Sequence, residues 1–407
     1  MLFLHFLGQD RDEMLLKQES KKNSHLTLLG AAHSINHSLF VIASPLLTLI
    51  LSSLGVTKLA IGLVATIASL IYGIGALVGG PLGDKIGEAK TITISLALAG
   101  VSTFIMLAAG ATASIYIYAL ALIMMAVWAS LYHPTANSLI SKSFKFRMSE
   151  AMGLHGVGGT LGVMLTPTVA YVIGAALGWQ WAFVAFGLLS LALALLFMKE
   201  FNHSENKGNN YGGTIIDALK IRELWILLIF NVAIGLFMKG VELFFPTYLS
   251  ENRGIDPAWA AIAYTMVLAA GVPGQWIGGK TADKIGPKKV LIATSTGVFL
   301  SLISLLLIPV HFVGILAFIA LYGVSFYAHQ PALNSLAGFL SPQNQRGAVY
   351  GIFFFTSFGI GSLSQFMAGY MADLYGLDAA FYLLAAFAFI ALLLSFKLPK
   401  KKENKET

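Results

Sequence analysis

The residues "GALVGGPLGDKIGEAK" (75–90) return later in the chain as "GQWIGGKTADKIGPKK" (274–289). Gly75, Gly79, Gly80, Asp84, Lys85, Ile86 and Gly87 align without a gap on Gly274, Gly278, Gly279, Asp283, Lys284, Ile285 and Gly286. A second pair follows at nearly the same spacing, "HPTANSL" (133–139) and "QPALNSL" (330–336), which places Pro134 on Pro331 and Asn137 on Asn334. Two unrelated motifs repeating in the same order mark a duplicated chain. Each copy is one structural unit.

Composition says what kind of unit. Of 407 residues, 57% are hydrophobic and only 11% charged, against about a quarter charged in ordinary soluble domains. Apolar runs lie at 25–53, 58–82, 91–110, 114–139, 149–175 and 179–199, then at 223–249, 257–281, 289–309, 312–338, 346–372 and 378–397. Runs of about 20 apolar residues match a hydrocarbon core of roughly 30 Å as helices. A transmembrane barrel would instead show alternating segments of about 10 residues. The expected fold is therefore all-α and integral to a membrane, with twelve transmembrane helices in two pseudo-symmetric six-helix bundles, 25–199 and 223–397. Residues 1–24 and 398–407 are expected as polar tails, and 200–222, Gly- and Asn-rich and then amphipathic, as the linker.

Lys and Arg set the orientation. All but three of the 26 basic residues fall in the tails or in loops after even-numbered spans; the exceptions are Lys58, Arg253 and Lys239. The positive-inside rule then puts both termini in the cytoplasm and the chain in the cytoplasmic membrane. The net charge of +7 is a topology signal, which argues against a nucleic-acid partner. The first 24 residues carry no pattern of basic, apolar and small-residue regions, so no cleaved signal is expected. The absence of cysteine excludes disulfides, thiolate metal sites and cysteine nucleophiles. Nothing assembles a nucleophile, base and orienting group, or a phosphate-cradling glycine loop, so neither an enzyme nor a cofactor is expected.

Six plus six spans, a central linker and the Gly-x-x-x-Asp-Lys-x-Gly-x-x-Lys segment together resemble the major facilitator superfamily of secondary transporters. Gly80, Asp84, Lys85, Gly87 and Lys90 match that segment, and Gly279, Asp283, Lys284, Gly286 and Lys289 repeat it. Within the superfamily, "HSINHSLFVIASPLL" (33–47), "YHPTANSL" (132–139) and "GAVYGIFFFTSFGIGSLSQFMAGYMAD" (347–373) are similar to the fosmidomycin-resistance-type efflux proteins. The resemblance implies that the charged segment is a cytoplasmic gate, that spans 1, 4, 7 and 10 line a central cavity, and that the chain acts as a monomer. Relatives carry an Asp where His37 stands, so no role of that acid transfers. Many proton-coupled antiporters have an arginine in span 4 and a Gly-Pro pair in span 5; both are missing here.

The residues support a gate independently. Glycines permit a tight turn and close helix approach, and the carboxylate can pair with basic groups or a helix N-terminus. Gly153, Gly156, Gly158, Gly159 and Gly162 in span 5, with Gly351, Gly359 and Gly361 in span 11, are expected as packing surfaces. Pro134 and Pro331 each free a carbonyl four residues earlier and bend their spans.

Polar groups at membrane depth are few, and ionisable ones there are expensive. Span 1 has His33, Asn36 and His37; span 4 has His133 and Asn137; span 5 has His155; span 7 has Asn231, Lys239 and Glu242; span 10 has His329, Gln330 and Asn334. Spacings of three and four give each helix one polar face. These residues are the expected substrate and proton cavity. Lys239 and Glu242 form the candidate ion pair, with Glu242 taking up and releasing a proton as the balance between solvation and its Lys239 partner alternates. One lysine and several histidines against one acid favour an anionic or zwitterionic solute. The expected function is alternating-access transport of such a small organic solute or drug, proton-coupled and outward. Two alternatives stay open: a transition-metal ion or metal-chelate carrier using the His33/His37 face, and a sensor that kept the fold without transporting. No resident metal is assigned.

Overall fold

A computed structural model describes residues 24–143, 148–201, 215–308, 311–341 and 346–399. Nearly all of both expected tails, much of the linker and the Asp84 carboxylate lie outside the described part. Among the described residues every regular element is helical. The segments are α1 (24–41, resuming as Leu47–Leu54), α2 (Lys58–Ile86), α3 (Glu88–Thr112), α4 (Ile115–Ala129, resuming as Tyr132–Ser143), α5 (Met148–Leu177) and α6 (Trp179–Phe201). After a short helix Ile215–Leu219 come α7 (Arg222–Asn252), α8 (Pro257–Ile285), α9 (Pro287–Leu307), α10 (His311–Leu340), α11 (Arg346–Phe354 through Leu363–Tyr375) and α12 (Leu377–Lys397).

Among the described residues eleven segments are long and apolar enough to cross a membrane, with α1 completing the expected twelve as a broken one. The sequence suggested one unbroken span over 25–53, and Pro45 is the reason for the difference. It has no N–H to offer the Val41 carbonyl. Ser44 N takes that carbonyl instead at 3.1 Å, and Leu46 N takes Ala43 O at 3.2 Å. The chain turns over 42–46 before becoming helical again.

Pro134 acts in the same way on α4, which is interrupted after Ala129. Thr135 then donates to both Leu131 O (2.7 Å) and Gly79 O (3.0 Å). Its counterpart Ala332 has no hydroxyl, and α10 runs through Pro331 without a break. One copy of the proline motif interrupts its helix and the other does not.

The glycine motif places its helices as its residue types demand. Gly87 and Gly286 have φ of 94° and 90° and separate α2 from α3 and α8 from α9. Side chains are strained in that conformation. A methyl at Gly79 would lie 2.7 Å from Pro134 Cγ, and one at Gly278 would overlap the Ala328 carbonyl. The two motifs of each copy therefore pack on each other, α2 on α4 and α8 on α10.

Between the copies, α2 packs along α11 and α5 along α8. Midway along, α11 changes to a π turn at Phe355–Gly359 and a 3₁₀ turn at Ile360–Ser362. Such irregular turns leave carbonyls without their helical partners. Asn231 Nδ2 reaches Phe353 O at 2.7 Å and Thr66 Oγ1 reaches Ser362 O at 2.7 Å, so neighbouring helices supply the missing donors.

Two faces of the molecule can be told apart. The Gly87 and Gly286 turns lie on the basic face, and the turns at Gly55 and Gly254 on the opposite face. At the opposite face the copies are tied: Lys58 N and Leu59 N, at the start of α2, donate to Asp373 at 3.1 and 2.7 Å, and Lys58 Nζ pairs with Glu251 at 2.9 Å. A carboxylate at a helix N-terminus also meets the positive end of the helix dipole. Exposed aromatic residues mark helix ends, Tyr116 and Trp259 at the opposite face and Trp225 at the basic face, as residues of a membrane interface do.

Candidate functional site

A cavity of about 230 Å³ lies between the two copies. His33 and His37 of α1 and Thr160 of α5 form one wall, and Glu242 of α7, Gln275 of α8 and Gln330 of α10 part of the other. From the middle of the helices it extends toward the basic face at Gly156, Gln275 and Gln330. Thr160 and Gln275 meet at 3.5 Å across it, and Gln275 donates to Gln330 at 3.1 Å.

The polar residues of the first copy converge. The i, i+4 spacing brings His33 beside His37, ring centroids 4.7 Å apart and planes tilted by 49°. His133 from α4 stands 4.9 Å from His33 and 4.8 Å from His37, and His155 from α5 lies flat on His33 at 4.1 Å. Room for the His33 ring exists because Gly159 has no side chain; a methyl there would come within 2.5 Å of Nδ1. Glycines of α5 also seat α1 directly, Gly158 against Gly30.

Hydrogen bonds fix two tautomers. His33 Nδ1 faces the carbonyl of His155 at 2.8 Å, and a carbonyl only accepts, so Nδ1 carries the proton. Tyr132 gives its proton to Leu29 O at 2.7 Å, so its oxygen accepts from His155 Nε2 at 3.1 Å. This leaves His33 Nε2 as a bare lone pair, buried and without a partner; His133 Nε2 is likewise buried and unpartnered.

The second copy offers a charge pair. Lys239 Nζ meets Glu242 Oε2 at 2.6 Å and lies over the Phe358 ring at 4.3 Å. The lysine is almost fully buried while a quarter of the Glu242 side chain is exposed. Glu242 is the one carboxylate on this cavity wall among the described residues. It also borders two smaller cavities, of about 40 and 20 Å³, the larger of which runs toward the opposite face past Ser44, Ala65 and Gln365. Ser44, freed by the α1 break, donates to the Glu242 backbone carbonyl at 2.6 Å.

Other residues singled out in the sequence lie elsewhere. Asn36 is buried and ties α1 to α4 and α2, donating to Ala129 O at 2.9 Å and accepting from Tyr72 at 2.9 Å. Asn231 supports the π turn. His329 is buried, its Nδ1 against Phe326 O, and is not on the cavity wall, whereas its neighbour Gln330 is. Asn137 and Asn334 are exposed and off that wall.

Sequence reasoning passed over Gln275, Thr160 and the tyrosines Tyr264, Tyr322 and Tyr327, all of which line the cavity. For Gln275 a signal existed. It falls inside the repeated motif where the first copy has Ala76, a polar residue on a helix face that its duplicate keeps apolar. The tyrosines gave none, since tyrosine in an apolar span reads equally as an interfacial anchor.

Known proteins of similar sequence and structure agree with this architecture. A sequence profile of the Major Facilitator Superfamily matches residues 27–365. The fosmidomycin resistance protein of Escherichia coli K12 is 26% identical, over 95% of this chain and 96% of its own. A probable sulfoacetate transporter, SauU of Cupriavidus necator, is 26% identical over 60% of each chain. Among solved structures, a bacterial homolog of the human lysosomal transporter Spinster, inward-facing and unoccupied, superposes with a TM-score of 0.75 at 16% identity, covering 93% of this chain and 97% of that one. A duplicated helical fold, a cavity between the copies and a profile match over most of the length lead to one conclusion: this chain belongs to the Major Facilitator Superfamily and is a membrane transporter, not an enzyme.

Proposed function

We propose that the protein carries a small organic anion or zwitterion across the cytoplasmic membrane coupled to the movement of protons. The basic face is then cytoplasmic, with both termini on it. The units 25–199 and 223–397 are the bodies that move, rocking about the cavity. Their ties at Asp373 and Glu251 close the periplasmic or external side in the conformation described, and the Asp84 and Asp283 segments serve as the cytoplasmic gate.

The observation that carries the reading is the position of Glu242. It is the cavity's acid, it is held by a single buried lysine, and it borders space on the side of either face. A carboxyl group so placed can exchange protons with one side while the other is shut. When it is protonated, Lys239 loses its partner and becomes available to an anionic solute. The buried ammonium needs a counter-charge. Protonation of Glu242 and binding of an anion at Lys239 are thus linked, each favouring the other, so that proton and anion cross the membrane together. The similarity to the fosmidomycin resistance protein and the sulfoacetate transporter supports an anionic cargo, since phosphonates and sulfonates are both oxyanions.

The test is flux in proteoliposomes with an imposed pH gradient and a panel of phosphonates, sulfonates and carboxylates. At least one should be driven against its own gradient by ΔpH and stop when a protonophore is added. Transport that proceeds equally with ΔpH collapsed would contradict proton coupling.

A further inference from the structure

We propose that His33, His37 and His133 form a three-imidazole site for a late first-row divalent transition ion, zinc or its near neighbours. One nitrogen from each of the three lies within 4.8 Å of the other two. Two histidines at i, i+4 on one helix face are a common way to offer two ligands to zinc. The third arrives from α4, on the residue before Pro134, where the helix has just resumed after its break.

The hydrogen bonding around the cluster is what separates it from a chance gathering of rings. A metal-bound imidazole usually donates its other N–H to a carbonyl or carboxylate, which fixes the tautomer and aims the lone pair at the ion. His33 does this: Nδ1 donates to the His155 carbonyl and Nε2 is left buried with no donor facing it. His133 Nε2 is buried without a partner as well. Buried polar nitrogens are normally satisfied. Here two neighbouring rings are not; the lone pair of His33, and that of His133 in the tautomer that bares Nε2, call for a positive partner. Supplying it by protonation would put like charges on rings less than 5 Å apart. One divalent ion satisfies the lone pairs together.

The geometry is close to that needed. Tetrahedral zinc, with bonds of about 2.0–2.1 Å, holds its ligand nitrogens roughly 3.4 Å apart. Side-chain rotation closing the widest separation by about 1.5 Å completes the site. An all-imidazole donor set in a chain without cysteine suits zinc, nickel, cobalt or copper(II) and disfavours magnesium and calcium. His33 and His37 line the cavity, so the remaining coordination position faces it and is open to water or to an oxygen of a solute. The site does not depend on the direction or coupling proposed above.

The experiment uses full-length protein in detergent, stripped with a chelator and then equilibrated with zinc or cobalt alone. We expect one ion per chain, and with cobalt the visible d–d bands of four-coordinate geometry. His33→Asn, His37→Asn and His133→Gln should each weaken binding by about 100-fold or more, since even loss of a supporting residue costs about 10–100-fold. His329→Asn should bind as the parent does. Elution as a single monodisperse peak confirms that each variant is folded, and the parent protein's stoichiometry tests the site without any variant. No binding by the parent, a cobalt spectrum without four-coordinate bands, or binding that survives in the three variants would overturn the proposal.

Discussion

The two copies share a skeleton and differ in chemistry. In each, a glycine pair on the second helix lies under the proline-bearing fourth, Gly79 and Gly80 against Pro134, Gly278 against the Ala328 backbone and Gly279 against Pro331, and a positive-φ glycine closes the same motif. Facing the cavity, however, the first copy presents imidazoles and the second a glutamate backed by a buried lysine, tyrosines and amides. Positions that hold helices together have been kept through the duplication. Positions that line the cavity have not, and under the two proposals above that asymmetry lets one wall take a different ligand from the other.

The shared skeleton can be broken directly. Alanine at Gly278 must push its methyl into the Ala328 backbone, whereas at Gly79 the nearest atom is the Pro134 ring edge at 2.7 Å. Forcing atoms into a packed contact costs about 1–3 kcal/mol and more where backbone must shift. Gly278→Ala should therefore lose about 3 kcal/mol and Gly79→Ala about 1–2 kcal/mol, read as unfolding midpoints in detergent. Equal losses, or no loss at either position, would contradict the difference read from the two contacts.

A smaller effect tests the polar ties. Asn36→Ala and Asn231→Ala each remove a buried donor to a neighbouring helix, one per copy. Interhelical hydrogen bonds in membranes average about 0.6 kcal/mol. Each variant should lose roughly that much stability and still transport. Loss of transport with unchanged stability would move these asparagines from scaffold to site.

Much of this organisation could be read from the residues. The repeats gave the duplication, hydropathy the twelve segments, and i, i+3 and i, i+4 spacing the His33/His37 face and the Lys239–Glu242 pair, which indeed meet in space. Pro45 marked the break in α1, although the apolar run across it suggested one helix. What spacing along a helix does not determine is rotation between helices. His133 and His155 therefore had no visible relation to His33, and Asn137, one turn beyond His133, gave no sign that it leaves the cavity wall. Gln275 could be found only by asking where the copies disagree. The same question, put to Ala332 aligned with Thr135, finds a second difference beside the proline that breaks its helix.

The account rests most heavily on Glu242, the acid that the second wall has and the first lacks. The decisive measurement compares Glu242→Gln with the parent protein in proteoliposomes, in two modes: uphill transport driven by an imposed pH gradient, and exchange of labelled for unlabelled solute at uniform pH. The amide keeps the size of the side chain and removes its proton chemistry. If Glu242 is the coupling site, gradient-driven transport disappears while exchange continues at a rate near that of the parent. Gradient-driven transport at the parental rate in the Gln variant would contradict the account.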